Sequence, residues 1–201
     1  MRLIVITDVE LAEPRSLAHV VRAALDAGAP AIQLRDKSLP ARELFELGQV
    51  LRAMTHEAGA LFFVNDRVDV ALALGADGVH VGPDDLPVQA VRASTPSGFL
   101  IGASTDDPRV AGRLVDDGAD YIGCGAVYST STKADAGDPI GVDGLRRVVE
   151  AVSVPVIGIG GITAPRAVEI AATGAAGIAV VGSVMSASDI GAAVQSLLAP
   201  W

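Results

Sequence analysis

Short apolar segments alternate with longer amphipathic segments along the whole chain. The apolar segments have the length and the Val, Ile and Leu content of buried parallel strands. They predict strands at Leu3–Thr7, Ala31–Arg35, Leu61–Asn65, Gly78–Val81, Leu100–Ala103, Tyr121–Gly123, Val156–Ile159 and Ile178–Val181. The intervening segments repeat their apolar residues at helical spacing. They predict helices at Leu17–Ala27, Ala41–Ala58, Val68–Leu74, Pro87–Ala93, Asp107–Asp117, Val142–Ala151, Pro165–Ala172 and Ala187–Leu198.

Strict alternation of strand and helix predicts parallel pairing through right-handed crossovers. Eight such units without a linker favour an α/β fold of the (β/α)8 TIM barrel type, with residues 1–201 as a single domain. A weak repeat supports the closed ring. Gly28, Gly75, Gly118 and Gly174 each end a predicted helix and precede an even-numbered strand, where glycine closes a helix in the left-handed conformation.

Composition and charge exclude several classes of partner. The formal net charge is −9 and no basic stripe is present, which argues against nucleic acid. The apolar segments are interrupted well before membrane-spanning length, so we expect no membrane partner. The single cysteine, Cys124, excludes an internal disulfide, and its apolar strand predicts an inert buried thiol. A reducing, cytoplasmic setting is the simplest interpretation, and the sequence leaves open whether the chain forms a homo-oligomer.

The lysines stand out in a chain that otherwise uses arginine. Thirteen Arg accompany only two Lys, Lys37 and Lys133, and both lysines follow predicted strands. Chance would explain the count alone. A compact ammonium group also suits phosphate binding, and in an acidic protein an anion site must be built locally from a few such groups.

The loops after the strands build the active site of a barrel of this type. Strand alternation places Gln33 and Arg35 on one face, so that Arg35 and Lys37 could clamp a diphosphate while Gln33 binds a heterocycle. The alternative is an ion-paired strand end built on Asp36, and the residues favour neither interpretation.

Carboxylates follow the third and fourth strands. Asp66 is either a helix cap or a Mg²⁺ ligand, and Asp85 could supply a second carboxylate. Capping is the favoured interpretation for Asp84, and His80 is expected to be a packed strand residue.

Hydroxyl groups and glycines follow the later strands. Ser104 could donate to a phosphate, although Thr105 or Asp106 could equally cap the next helix. Residues 123–137 form the longest non-periodic stretch, whose hydroxyls and lysine suit phosphate capture better than a merely flexible loop. Glycines after the last two strands would let backbone N–H groups approach an anion.

Taken in order, these motifs resemble the thiamine-phosphate synthase family. The matching blocks are Gln33–Lys37, Asn65-Asp66, Gly78–Asp85, Gly102–Ser104, Thr130–Lys133 and Gly160–Thr163, which cover nearly the whole chain. The resemblance implies that a thiazole phosphate attacks an aminopyrimidine carrying a diphosphate on its methylene group. Thiamine phosphate forms and pyrophosphate leaves in a dissociative, Mg²⁺-dependent step.

The resemblance also implies roles for individual residues. Arg35, Lys37, Ser104 and Lys133 would be catalytic, and Asp66 and Asp85 would bind Mg²⁺. The pyrimidine diphosphate would be held by these cations and Ser104 together with Gln33, Leu34, Asp36 and Asn65. The thiazole phosphate would be held by Thr130, Ser131, Thr132, Gly161, Val181 and Gly182.

Three positions depart from the family pattern. Pro83 replaces a frequent Gln, Gly182 replaces a common Ser, and Asp106 stands where a His often follows the serine of the fifth loop. The sister family of thiazole tautomerases is thought to use that His, so its absence favours the synthase. A metal-independent tautomerase and a non-catalytic sensor of thiamine phosphate remain the alternatives.

Overall fold

The computed structural model describes residues 1–130 and 137–201 of the chain. Eight parallel strands form a closed barrel in sequence order, and β8 returns to pair with β1. The strands are β1 Leu3–Ile6, β2 Ala31–Leu34, β3 Leu61–Asn65, β4 Gly78–Val81, β5 Leu100–Ser104, β6 Tyr121–Cys124, β7 Val156–Ile159 and β8 Gly177–Val180. The predicted fold class is therefore confirmed, and each strand lies within one residue of its predicted bounds.

Helices connect successive strands around the outside of the barrel. Their bounds are α1 Val9–Ala12, α2 Leu17–Asp26, α3 Ala41–Glu57, α4 Val68–Ala73, α5 Val88–Ser94, α6 Pro108–Asp116, α7 Gly141–Ala151, α8 Ala164–Ala171, α9 Gly182–Met185 and α10 Ile190–Leu198. The short helices α1 and α9 were not predicted, because four residues carry too little periodicity to be recognised. Within the described ranges, no helix is long and apolar enough to cross a membrane.

Two apolar layers result from the alternation of side chains along each strand. The larger layer lies between the strands and the helices and includes Leu34, Phe62 and Ile122. A smaller cluster fills the barrel interior with residues such as Ile4, Phe63 and Tyr121. Because successive side chains alternate, the residues two positions after an interior residue also face inward, toward the C-terminal ends of the strands.

Repeated aspartates fasten the opposite end of the barrel. Asp77, just before β4, accepts hydrogen bonds from the backbone N–H of Phe62 and from Arg52 on α3, at 2.7 and 3.1 Å. Asp120, just before β6, accepts from the backbone N–H of Ile101 at 2.7 Å and from Arg92 on α5 at 2.5 Å. Each aspartate thus joins the preceding strand to a helix, and each follows a glycine of the sequence repeat, Gly75 or Gly118, by two positions.

The four glycines of the repeat have the conformation that the sequence predicts. Gly28, Gly75, Gly118 and Gly174 have φ values of 91°, 58°, 105° and 89°. A residue with a Cβ atom is strained in this region, so glycine is suited to turn the chain from each helix into the next strand.

Candidate active site

A cavity of about 530 Å³ lies at the C-terminal ends of the strands. This volume is typical of sites for small ligands. Eleven of the sequence-predicted site residues line it: Gln33, Arg35, Lys37, Asn65, Asp66, Asp85, Ser104, Thr130, Gly161, Val181 and Gly182. Residues separated by up to 149 positions in the chain, from Gln33 to Gly182, therefore meet at one end of the barrel.

Five predicted site residues do not contribute to the described cavity wall. Leu34 is fully buried in the apolar layer beneath the helices. Asp36 accepts hydrogen bonds from the backbone N–H groups of Ser38 and Leu39, at 2.8 and 2.9 Å, and stabilises a local turn. Ser131, Thr132 and Lys133 lie outside the described residues.

Arg35 enters the cavity from a strand end that a buried hydroxyl holds in place. The side-chain oxygen of Thr7 accepts a hydrogen bond from the Arg35 N–H at 2.9 Å and donates to the Arg35 carbonyl at 3.2 Å. Thr7 is 0% exposed. Nothing in the sequence pattern indicates this role, because a threonine at a strand end is common. Two positions earlier on the same face, the side chain of Gln33 is 3% exposed and lines the cavity.

The carboxylates of Asp66 and Asp85 converge at the same end of the cavity. Asp66 has a positive φ of 61°, and its N–H donates to the carbonyl of His80 at 2.8 Å. Asp85 accepts a hydrogen bond from the Gly82 N–H at 2.8 Å, which turns its side chain toward Asp66. The Nζ atom of Lys37 lies 3.9 Å from a carboxylate oxygen of Asp66.

The capping interpretations for these loops are wrong. The residues at the N-caps of α4 and α5 are Arg67 and Pro87, and neither helix has a side-chain cap. Asp66 and Asp84 are therefore not helix caps, and both side chains lie in the cavity wall. At α6 the cap is Asp107, which accepts from the N–H groups of residues 109 and 110, so the expectation of Thr105 or Asp106 as the cap was also wrong.

The environment of Asp66 makes its carboxylate costly to ionise. Burial, together with the hydrogen bond and the negative charge of Asp85, raises the pKa of Asp66 to about 6, against the opposing charges of Lys37 and Arg35. Two carboxyl groups in contact repel when both are ionised, and a divalent cation between them removes that repulsion. The pair therefore fits a hard divalent cation.

The protein itself supplies only part of a coordination shell. Among the described residues, no group of three or more His, Cys, Asp or Glu side chains could hold a metal ion. Magnesium commonly takes one or two carboxylates and completes its shell with water and substrate phosphates. The Asp66–Asp85 pair matches that pattern, so the rest of the shell is left for a phosphorylated ligand.

A buried polar chain crosses the wall beside the carboxylates. The Nδ1 atom of His80 lies 3.0 Å from the Tyr121 hydroxyl, and its Nε2 atom lies 2.8 Å from the Ser104 hydroxyl. Burial lowers the pKa of His80 to about 4, although the charge of Asp85 opposes the shift. His80 is thus a neutral, packed strand residue, as expected, and its hydrogen bonds link it to a predicted site residue.

The other end of the cavity is formed by the loops after β7 and β8. Gly161 has a φ of 63°, and a Cβ atom there would lie 2.4 Å from the carbonyl oxygen of Ser129. Only glycine fits this close approach without displacing the neighbouring loop. Gly182 begins the short helix α9 directly after β8. Residues of both loops, including Gly161 and Gly182, line the cavity, and glycine loops at this position hold a phosphate in many barrels.

Sequence reasoning missed one cation at this end. Arg166, on α8, lines the cavity and donates a hydrogen bond to the carbonyl of Gly161 at 2.5 Å. Its guanidinium lies 4.4 Å from the centre of the Tyr128 ring, whose hydroxyl donates to Glu169 at 2.8 Å. An arginine within a helix gives no pattern that separates it from an ordinary surface residue.

Comparison with known proteins identifies the family. The model of the family described as thiamine monophosphate synthase matches residues 3–184. A thiamine-phosphate synthase of Moorella thermoacetica is 46% identical over 97% of this chain and 93% of that protein. The chain belongs to the thiamine-phosphate synthase family. Members of this family are transferases of thiamine biosynthesis. The predicted class of activity is therefore confirmed.

A solved structure of the family agrees with this barrel. The thiamine phosphate pyrophosphorylase of Pyrococcus furiosus superposes with a TM-score of 0.89 at 47% identity, over 98% of this chain and 93% of that one. Within the thiamine-phosphate synthase fold, two of the three departures noted in the sequence, Pro83 and Gly182, line the cavity, whereas Asp106 lies outside its wall.

Proposed function

We propose that this chain joins an aminopyrimidine carrying a diphosphate on its methylene group to a thiazole phosphate. The products are thiamine phosphate and pyrophosphate. The observation that carries the proposal is a cavity whose lining offers a candidate anion-binding region at each end. One region has Arg35, Lys37 and a carboxylate pair, and the other has the backbone N–H groups of two glycine loops. A reaction between two phosphorylated substrates requires two such regions.

The first region would bind the pyrimidine diphosphate. The side-chain amide of Gln33 would hydrogen-bond the ring, assisted by Asn65 on the neighbouring strand. Arg35, Lys37 and the Ser104 hydroxyl would bind the diphosphate oxygens through charge-assisted hydrogen bonds, which are stronger than neutral ones. Lys133 would add a further cation, an assignment that rests on the resemblance of the Thr130–Lys133 block.

Asp66 and Asp85 would hold Mg²⁺ against the same diphosphate. When bound, the metal would neutralise the diphosphate and make it a better leaving group. Lys37 lies 3.9 Å from Asp66, so one ammonium group can contact the carboxylate pair and a substrate phosphate in turn.

The second region would bind the thiazole phosphate. Gly161, Val181 and Gly182 would present backbone N–H groups, and the hydroxyls of the Thr130–Thr132 segment would donate further hydrogen bonds. Gly182 offers no hydroxyl where the family commonly has serine. Arg166 lies beside Gly161 and would supply positive charge at this end.

Positioning and charge stabilisation would account for the chemistry. The bond between the pyrimidine methylene carbon and the diphosphate oxygen breaks, and its electron pair leaves with pyrophosphate. The thiazole ring nitrogen then donates its electron pair to the same carbon. Neither step transfers a proton, so a general base is not required, and the cations around the leaving group perform the catalysis.

The inert, buried thiol of Cys124 agrees with a cytoplasmic location, which forms part of this proposal.

The direct test mixes purified protein with both substrates and Mg²⁺. Thiamine phosphate and pyrophosphate should appear in equal amounts, and omission of either substrate or addition of EDTA should stop their formation. A folded protein that binds thiamine phosphate without turnover would indicate a sensor. Isomerisation of a thiazole precursor unaffected by EDTA would indicate a tautomerase.

The pKa of Asp66 predicts how Mg²⁺ stabilises the fold. Because the folded pKa is raised to about 6, ionising Asp66 destabilises the metal-free fold increasingly as the pH rises toward and through 6. Mg²⁺ relieves that cost at higher pH, whereas protons compete with it at lower pH. The rise in melting temperature on adding Mg²⁺ should therefore be larger at about pH 7.5 than at about pH 5. Equal shifts at both pH values would contradict the assignment of Asp66 as a metal ligand.

A further inference from the structure

The polar chain of Tyr121, His80 and Ser104 has one favoured hydrogen-bond direction. The hydroxyl of Tyr121 carries a proton, because burial raises its pKa. Each ring nitrogen of His80 contacts a neutral hydroxyl group, and neither has a recorded carboxylate partner among the described residues, so the imidazole carries one ring proton, on either Nδ1 or Nε2. The Ser104 hydroxyl carries one proton. The two hydrogen bonds of the chain use two of these three protons, and the third must point elsewhere.

In the first arrangement, the third proton belongs to Ser104. Tyr121 donates to Nδ1, and the Nε2–H group donates to the Ser104 oxygen. The proton of Ser104 then points to the cavity that this residue lines. A substrate oxygen or water can accept it there, so every buried donor in the chain has an acceptor.

In the second arrangement, the third proton belongs to Tyr121. Ser104 donates to Nε2, and the Nδ1–H group donates to the tyrosine oxygen. Tyr121 is 1% exposed, and its ring packs edge-on against Phe63 with centroids 5.7 Å apart. Among the described side chains, the hydroxyl of Tyr121 has only His80 as a recorded partner. Tyr121 borders the same cavity, but at 1% exposure its hydroxyl is far less accessible to an acceptor there than the half-buried hydroxyl of Ser104, so this arrangement is the less favourable one.

Glycines make room for this chain of rings. A Cβ atom on Gly102 would lie 2.1 Å from the Tyr121 ring, and one on Gly123 would lie 2.8 Å from the His80 ring. A side chain at either glycine would therefore displace the neighbouring ring from its present position. The arrangement is built into the barrel interior by β4, β5 and β6.

We propose that Tyr121 and His80 are positioning residues that fix Ser104 as a hydrogen-bond donor to the substrate. They act through Ser104 and do not contact the reacting atoms. The donor faces the region proposed for the pyrimidine diphosphate, so the acceptor is an oxygen of that anion. The identity of this acceptor rests on the proposed function, whereas the direction of the hydrogen bonds does not.

The direction of the hydrogen bonds can be read from the His80 ring without an activity assay. Nitrogen NMR of histidine-labelled protein distinguishes a protonated ring nitrogen from an unprotonated one, and His80→Gln identifies the signals among the three histidines. We expect Nε2 to carry the proton and Nδ1 to be unprotonated. A proton on Nδ1 in the wild-type protein would overturn the proposal.

Kinetics of Tyr121→Phe then test the role. The substitution keeps the packed ring and removes the hydroxyl that holds the proton on Nε2, so that Ser104 can donate to Nε2 and no longer to the substrate. We expect kcat/KM for the pyrimidine diphosphate to fall about 10- to 100-fold, the range for losing one hydrogen bond to a charged group. The KM for the thiazole phosphate should not change. The matched control is Thr55→Val, which removes a buried hydroxyl on α3 that donates to the Arg52 carbonyl away from the cavity, and it should retain wild-type kinetics.

A double-mutant cycle separates positioning from general destabilisation. If Tyr121 acts through Ser104, Tyr121→Phe should cause no further loss in the Ser104→Ala background. Losses that multiply fully would overturn the proposal, because they would show that the two residues act independently. If the wild-type protein forms no thiamine phosphate, the proposed function fails, and the NMR result for His80 still decides the direction of the chain. The same NMR result decides it if Tyr121→Phe does not fold.

Discussion

Replacing Asp66 by Asn should make the metal-free protein more stable and much less active. Asn cannot ionise, so it avoids the cost of burying a charge and the repulsion from Asp85 that together raise the pKa of Asp66, and the melting temperature in EDTA should rise at about pH 7.5. Asn also tolerates the left-handed backbone at this position, where φ is 61°. Turnover with Mg²⁺ should fall about 100- to 1000-fold, the range for removing one preorganised electrostatic group.

The control for this variant removes a carboxylate from the surface. Asp143→Asn, on α7, disrupts an exposed ion pair with Arg146 and should alter neither turnover nor the response to Mg²⁺. Steady-state kinetics and thermal unfolding with and without Mg²⁺ measure both effects. An Asp66→Asn protein with normal turnover would show that this carboxylate does not bind the catalytic metal.

Replacing Arg35 by Met should reduce kcat/KM for the pyrimidine diphosphate by about 100-fold or more. The variant keeps most of the side-chain volume but loses the charge that would bind the diphosphate as it leaves. The positive charge of Arg35 also lowers the pKa of Asp66, so its loss should raise that pKa above about 6. As the pH is lowered, the variant should therefore begin to lose activity at a higher pH than the wild-type protein does.

Arg35→Lys provides the informative comparison, because it restores the charge without the planar guanidinium. The pH dependence of activity in Arg35→Lys should be close to that of the wild-type protein on the acidic side, whereas its turnover should remain clearly lower. Arg22→Met, on α2, removes an exposed guanidinium paired with Glu57 and serves as the surface control. If Arg35→Met leaves both the kinetics and the pH profile unchanged, Arg35 does not contact the leaving group.

The sequence predicted the barrel because its strongest signals are local and regular. The apolar strands, the helical periodicity and glycines such as Gly75 and Gly118 each report on a few neighbouring residues. Alternation along β2 also predicted correctly that Gln33 and Arg35 face the same cavity. Assigning every residue of the block Gln33–Lys37 to substrate binding was nonetheless too broad. Leu34 and Asp36 point away from the cavity that their neighbours line.

The details missed by the sequence depend on contacts between distant segments. Thr7 reaches Arg35 only because β1 pairs with β2, and Tyr121 reaches His80 only across the barrel interior. The predictions of helix caps were wrong for a different reason. Several neighbouring residues could cap each helix, and the backbone path of the loop, such as the positive φ of Asp66, decides which of them does so.

The aspartate links at the far end of the barrel separate maintenance of the shape from the chemistry. Asp77 and Asp120 each hold a strand N–H and an arginine at once, so a single substitution at either position leaves two donors without an acceptor. At the cavity end, by contrast, the side chains of Gln33, Arg35 and Asn65 have no recorded hydrogen bond to the scaffold among the described residues. Single substitutions at the cavity end can therefore change substrate preference without loss of the fold. At the opposite end, Asp77 and Asp120 can be replaced only if compensating substitutions occur together.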